Sequence, residues 1–398
     1  MRRNLAVFNQ KHSISTPIPI DIKDFPLNTF LKTVFLSLAA VPLLSGATPA
    51  DLAIVDLSDD TSRQVVVAQG TAETYQGHPT TLLLPDGKTI FAVWTLGHGG
   101  TCGPMKRSDD GGATWSELLP TPENWTTAKN CPSLYRLTDP RGVTRLFVFA
   151  SRGPDGKMQH AHSTDDGKTW TPMTTTGLAC VMPFCTIAAV DGGRRLIGLT
   201  SIRRPGDADK FSNIITQSES TDGGLTWSDW RVVLDLGELK PCEPAIVRSP
   251  DGKQLLCLLR ENVRKAGGHF MTSDDEGRTW SAVKPLPVDL HGDRPMPHYA
   301  PDGRLVICFR DMGIGSPTHG HFVAWVGRYE DIVQGTDGQY KIKLLHSHAG
   351  SDCGYSGLEL LPDGTFVATT YIKYRPGPEK QSVVSTRFRL PETDKLAD

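Results

Sequence analysis

Six short segments of this sequence place chemically capable side chains at one shared register. Each segment is an apolar strand, a turn built on Asp-Gly or a close variant, and a second apolar strand; TTLLLPDGKTIFAVW, AIVRSPDGKQLLCLLR and SGLELLPDGTFVATTY are the clearest. The turn aspartates are Asp86, Asp139, Asp191, Asp251, Asp302 and Asp363, the second and third in degenerate turns. Eight residues before them stand His78, Cys131, Pro183, Glu243, Arg294 and Tyr355. Four of these are polar types able to do acid, base or nucleophilic work, each opening an otherwise apolar strand. A second set follows the turns: Arg260 closes LLCLLR, Arg310 closes LVICFR, and Tyr371 occupies the matching position in the last segment. A guanidinium at the end of a buried strand must meet an anion or carbonyl oxygens. A ligand would serve, and so would an ion pair with Glu261 or Asp311.

The elements that must position these residues follow from the spacing. The turn aspartates recur at intervals of 51 to 61 residues. Hairpins repeating with that period predict propeller blades. A single hairpin cannot cover its own faces, whereas six set radially bury each other. The expected fold is therefore all-β, a six-bladed propeller of four-stranded antiparallel blades spanning residues 51–398. Equivalent strand starts in such a fold circle the mouth of the central channel, a concave place where side chains converge.

A second repeat has nearly the same period. SDDGGATW, STDDGKTW, STDGGLTW and SDDEGRTW begin at Ser108, Ser163, Ser220 and Ser273 and share the pattern S-x-D-x-G-x-T-W. Ser and Asp oxygens accept N–H bonds in a tight turn, Gly permits positive φ, and Trp anchors the turn. This motif is the Asp-box, and the chain resembles the sialidase (neuraminidase) superfamily of Asp-box, BNR-repeat propellers. The resemblance implies that Asp110, Asp165, Asp222 and Asp275 are structural. It also gives roles to the strand starts. CEPAIVRSPDGKQLLCLLRE, with Glu243 and Arg260, is similar to the family's Glu-and-Arg hairpin, and GYSGLELLPDG places Tyr355 where the family has its nucleophile. Glu243 would take the phenol proton, since a phenol near pKa 10 is a poor nucleophile at neutral pH. Arg260, Arg294 and Arg310 would clamp a substrate carboxylate. The sialidase scheme uses a tyrosine in place of a carboxylate nucleophile.

Two implied elements are absent. The family's first blade opens with an arginine motif, where this chain has Gly77-His78-Pro79. The following loop should supply an aspartate acid/base, but WTLGHGGTCGPMKR contains no carboxylate. His98 and His78 are the candidates to replace it. The expected activity is that of a sialidase-like exo-glycosidase on a terminal acidic sugar. A propeller lyase acting on uronate sugars and a non-catalytic carbohydrate-binding propeller are the alternatives; an unsaturated product would mark the first and binding without turnover the second.

Bulk properties set the remaining bounds. A net charge of −2 gives no electrostatic footprint for nucleic acid or an anionic membrane. With 39 Gly and 29 Pro and little helical periodicity, the chain suits many short strands and turns. Lys32, the apolar run at 33–44 and the small residues after it predict an export signal within residues 1–50, with the remainder secreted or periplasmic and without a membrane span. No cofactor motif or zinc-type cysteine spacing is present, and neither a cofactor nor a metal is expected. Disulfides Cys102–Cys131 and Cys180–Cys185 are expected, with Cys257 and Cys308 as buried thiols. His160 and His162 alternate on a strand and are expected to pack there, without a third metal ligand. The protein is expected to be a monomer.

Overall fold

The computed structural model describes residues 52–209, 213–264 and 266–398; the expected export signal lies outside them. The arrangement is all-β and propeller-like, made of hydrogen-bonded antiparallel sheets. Three sheets start with the strands Thr186–Val190, Pro241–Arg248 and Gly292–Tyr299, each continuing outward in chain order. The Gly292–Tyr299 sheet gains a parallel outermost strand, Ile54–Asp56, paired with Tyr340–Leu345. A fourth sheet holds Ser356–Leu360, Phe366–Ile372 and Ser382–Phe388, and takes its outer strand, Gln64–Ala68, from the other end of the chain. The fifth has seven strands from Gln76–Leu83 to Thr174–Ala179, its two hairpin sets joined by the single pair Thr101–Lys129.

The second strand of each hairpin is covered on both faces, which is why it reads as a continuous apolar run. Leu255, Leu256, Cys257, Leu258 and Leu259 are all at most 1% exposed. The apolar clusters lie between sheets: Val190, Ile197 and Leu199 of one sheet pack with Leu255, Cys257 and Met271 of the next. The Asp-boxes hold the outer turns. At Asp222, Oδ1 accepts from the Thr226 and Leu225 amides at 3.0 and 3.1 Å, and Ser220 Oγ donates to it at 2.8 Å. Asp110, Asp165 and Asp275 make the same bonds to Thr114, Thr169 and Thr279. In one of these turns Gly167 has φ 80°, and a Cβ there would lie 2.4 Å from Phe91 of the preceding hairpin set, so only glycine lets the turn seat.

The seam between first and last hairpins is closed by Glu359. It accepts from Thr81 Oγ1 at 2.6 Å and the Leu83 amide at 3.0 Å, and burial raises its carboxyl to about 7.

Candidate functional site

Four of the strand-start residues sit on left-handed backbone: His78 (φ 45°), Cys131 (43°), Glu243 (53°) and Arg294 (53°). At each one the pairing register shifts, between Gly77 and Thr80, Lys129 and Ser133, Cys242 and Ala245, and Asp293 and Met296. Each is followed by proline, Pro79, Pro132, Pro244 or Pro295, which has no N–H for the ladder. The sequence thus breaks the strand at one point in four hairpins, and the bulge re-aims the side chain. Such backbone costs about 1–3 kcal/mol per non-glycine residue and persists only where surrounding structure imposes it. Tyr355 reaches the same place after Gly354, whose φ of 109° and close approach to Arg310 exclude a side chain.

These residues converge. Tyr355 Oη donates to Glu243 Oε1, and the same oxygen receives Arg260 Nη1 at 2.7 Å. Glu243 is 2% exposed and its Oε2 has no partner. His78 stacks on the Tyr355 ring at 4.5 Å between centroids, and the Arg294 guanidinium lies over that ring at 5.8 Å. Cys131 Sγ lies 3.3 Å from His78 Nδ1 and 3.7 Å from Met182 Sδ. At the Pro183 register it is Met182 that meets the others, with its sulfur 3.5 Å from Tyr355 Oη. Burial, then the neighbouring Glu243, raises the Tyr355 phenol well above its ordinary range. The phenol therefore rests protonated, hydrogen-bonded to the Glu243 carboxyl oxygen.

The arginines are arranged around a carboxylate that the repeat register did not single out. Asp293, 1% exposed, accepts from both Arg264 terminal nitrogens at 2.6 Å and from Arg310 Nε at 2.8 Å, and lies in ion-pair contact with Arg260, whose Nε is 2.8 Å away without a hydrogen bond. Burial opposes its charge, but Arg260, Arg310 and Arg264 outweigh that and hold it down to about 2. Arg310 donates further to the Ser351 and Cys353 carbonyls at 2.5 and 3.1 Å, leaving one of its five N–H groups. Its ionic partner is thus Asp293, while Asp311 pairs with Lys341 at 2.8 Å. Arg260 turns to Glu243 and Asp293. Arg294, 3% exposed, has no ion pair among the described residues. The exposed Arg152 also has none; it lies beside the His98 loop, where a Cβ on Gly99 would be 3.8 Å from its Nη2.

At the outer edge of this cluster stands His98, its ring 4.6 Å from that of His78. Its Nδ1 lies 3.2 Å from Asp352 Oδ1 and 3.1 Å from Tyr75 Oη. Tyr75 donates to the same Asp352 oxygen at 2.9 Å, and Gln381 Nε2 donates to the other at 2.6 Å. Burial raises the Asp352 carboxyl, but these donors outweigh it and the net shift is downward. His78 differs: it is 3% exposed, and burial followed by the nearby His98 lowers it to about 3, so its imidazole is neutral. Tyr371 Oη is buried without a partner, with its ring 5.0 Å from His78.

Two expectations are corrected. Among the described residues, which include all eight cysteines, every cysteine is a free thiol. Cys102 packs with Met105 and Trp125, whereas Cys131 faces Met182 and Cys185; Cys180 packs in another cluster beside Phe184. The expected partners thus face different interiors, and neither bridge forms. Cys257 and Cys308 are buried thiols as expected. His160 stacks on Phe147 and Phe149 at 5.9 and 5.8 Å, as packing requires.

Comparison with known proteins agrees with this architecture. Residues 123–307 match the BNR repeat-like domain. A protein of unknown function from Dyadobacter fermentans DSM 18053 is similar at 18% identity, with 82% of this chain and 97% of that one covered and a TM-score of 0.63. The NanB sialidase from Streptococcus pneumoniae is similar at 13% identity, 84% and 73% coverage and a TM-score of 0.53. The Trypanosoma rangeli sialidase, solved with sialic acid, gives 13%, 84% and 60%, and 0.53. No curated protein matches the sequence. The resemblance to the sialidase-like BNR-repeat propeller superfamily thus holds for the repeat and the fold.

Proposed function

We propose that this chain is a glycoside hydrolase that removes a terminal acidic sugar, sialic acid or a close relative, through Tyr355 and Glu243. The observation that carries the reading is the bonded series Tyr355 Oη, Glu243 Oε1, Arg260 Nη1 at the meeting point of the strand starts. Arg260 Nη1 lies 2.7 Å from the Glu243 oxygen that faces Tyr355, so a cation stands beside the proton acceptor. As Tyr355 oxygen bonds to the anomeric carbon, its proton passes to Glu243. A phenol is neutral until it attacks, so an acidic sugar's own carboxylate does not repel it. Charge supports an acidic substrate: Glu243, Asp293 and Asp352 stand against Arg152, Arg260, Arg264, Arg294 and Arg310. That cationic excess favours a carboxylate in a site shielded from water. Arg294 and Arg260 are its clamp, while Arg310 mainly orients Asp293. The proton for the leaving group comes from the side of the cluster where His98 stands beside the buried His78.

The reading takes six blades, counting the seven-stranded sheet as two that meet at Thr101–Lys129, and an exported monomer. No helix among the described residues is long and apolar enough to cross a membrane. Assaying wild type, Tyr355→Phe and Glu243→Gln on fluorogenic glycosides of acidic and neutral sugars tests the proposal. Turnover of acidic glycosides only, abolished in both variants, is the expected result. Release of an unsaturated, ultraviolet-absorbing sugar would identify a lyase instead, and saturable binding with no product would identify a binding propeller.

A further inference from the structure

From the contacts of Asp352 we infer that His98, oriented by Asp352 and Tyr75, is the catalytic group that protonates the departing sugar oxygen and later deprotonates the attacking water. The inference rests on the Tyr355–Glu243 reading and identifies the acid/base that the first-blade loop lacks.

The hydrogen-bond pattern determines the tautomer. Tyr75 has one proton and gives it to Asp352 Oδ1 at 2.9 Å, leaving its oxygen as an acceptor. His98 Nδ1 therefore faces two acceptors, Asp352 Oδ1 at 3.2 Å and Tyr75 Oη at 3.1 Å, and must carry the proton. Nε2 is left to gain or lose a proton on the side of the ring away from the carboxylate, and the His98 side chain is 61% exposed. Asp352 is fixed in turn by Gln381 on its second oxygen at 2.6 Å. A carboxylate bonded to one imidazole nitrogen orients the ring and stabilises the imidazolium when it forms.

Position fits the role. His98 contacts His78, and His78 stacks on Tyr355, which puts the His98 and Tyr355 ring centres within about 9 Å. Nucleophile and proton donor in a double-displacement glycosidase stand roughly 5–5.5 Å apart; Tyr355 and His98 flank the single intervening ring of His78. His78 is excluded as the donor because it is sealed from solvent and held neutral. It is instead the apolar platform between the two working groups.

The steps balance. The cycle starts with His98 protonated on both nitrogens, the Nε2 proton having come from solvent. Tyr355 oxygen bonds to the anomeric carbon and its proton goes to Glu243, while the bond to the leaving oxygen breaks and that oxygen takes the His98 Nε2 proton. Water then bonds to the anomeric carbon and gives a proton to Nε2. The bond to Tyr355 breaks, and the phenolate regains its proton from Glu243.

Leaving-group dependence tests this, because a nitrophenolate departs without protonation and an alkoxide does not. We expect His98→Ala to lower kcat/KM on an alkyl glycoside about 100-fold, the size of a general-acid contribution, and on the matching 4-nitrophenyl glycoside less than about tenfold. Asp352→Asn should show the same split, reduced in size, as a positioning residue should, and thermal melts should show both variants folded. Equal losses on the two substrates, or no loss on either, would overturn the inference. Tyr355→Phe separates the two ideas: turnover that survives it, with the His98 split intact, refutes the nucleophile and leaves the acid/base standing. A wild type that cleaves neither glycoside refutes both.

Discussion

The outer turns and the central circle are both built by the same repeat, yet they use it in opposite ways. At the outer turns, Asp110, Asp165, Asp222 and Asp275 repeat one residue, one set of partners and one role. At the centre, one backbone device, a bulge ahead of proline, presents four different side chains, His78, Cys131, Glu243 and Arg294. Repetition of side chain marks the frame. Repetition of backbone geometry with changing side chain marks the place where unlike groups are assembled, a pairing that chemistry needs and packing does not.

The contrast can be broken most severely at Glu243. Glu243→Gln keeps shape but removes the proton acceptor from Tyr355, and kcat should fall about 10³-fold, within the range for a lost general base. Asp293→Ala should act on stability instead: three guanidinium groups lose a buried counter-charge, at a cost of about 3–5 kcal/mol in denaturant unfolding. Asp222→Ala, at an outer turn, should cost about 1–2 kcal/mol from lost turn bonds, with kcat unchanged on the folded fraction. Any large kcat effect there would erase the distinction between frame and centre.

Glu359 belongs to the frame and gives a pH signature. Its carboxyl is raised from 4.5 to about 7, so between those values the folded chain keeps a proton that the unfolded chain releases. Stability therefore falls as pH rises through that window, by roughly 3 kcal/mol. Melting temperatures of Glu359→Gln from pH 4 to 8 should lack this decline. The smallest effect is expected at Arg152, on the rim: Arg152→Ala should raise KM about threefold with little change in kcat, as a partly screened charge contact would.

The frame was legible because period, turn chemistry and Asp-box spacing are local, and the same register led to His78, Glu243, Arg294 and Tyr355. Their X-Pro steps carried the bulge signal as well, in His78-Pro79, Cys131-Pro132, Glu243-Pro244 and Arg294-Pro295. Asp352 and Asp293 were not legible. Asp352 acts on Tyr75 and His98, from the opposite end of the chain, and only closure of the seam brings them together. Asp293 lies one residue from a predicted position, but its value depends on Arg260, Arg264 and Arg310 converging from separate segments. The cysteine pairs misled for a related reason: sequence proximity does not say which interior a strand face enters.

The central claim is that Tyr355 becomes covalently bonded to the sugar. Incubating the protein with a fluorinated acidic glycosyl fluoride, which forms the intermediate quickly and releases it slowly, and then sequencing the peptides by mass spectrometry measures this directly. The account predicts one sugar adduct, on the peptide containing Tyr355, and its absence in Tyr355→Phe. An active protein that carries the adduct on another residue, or turns over without any adduct, would contradict it.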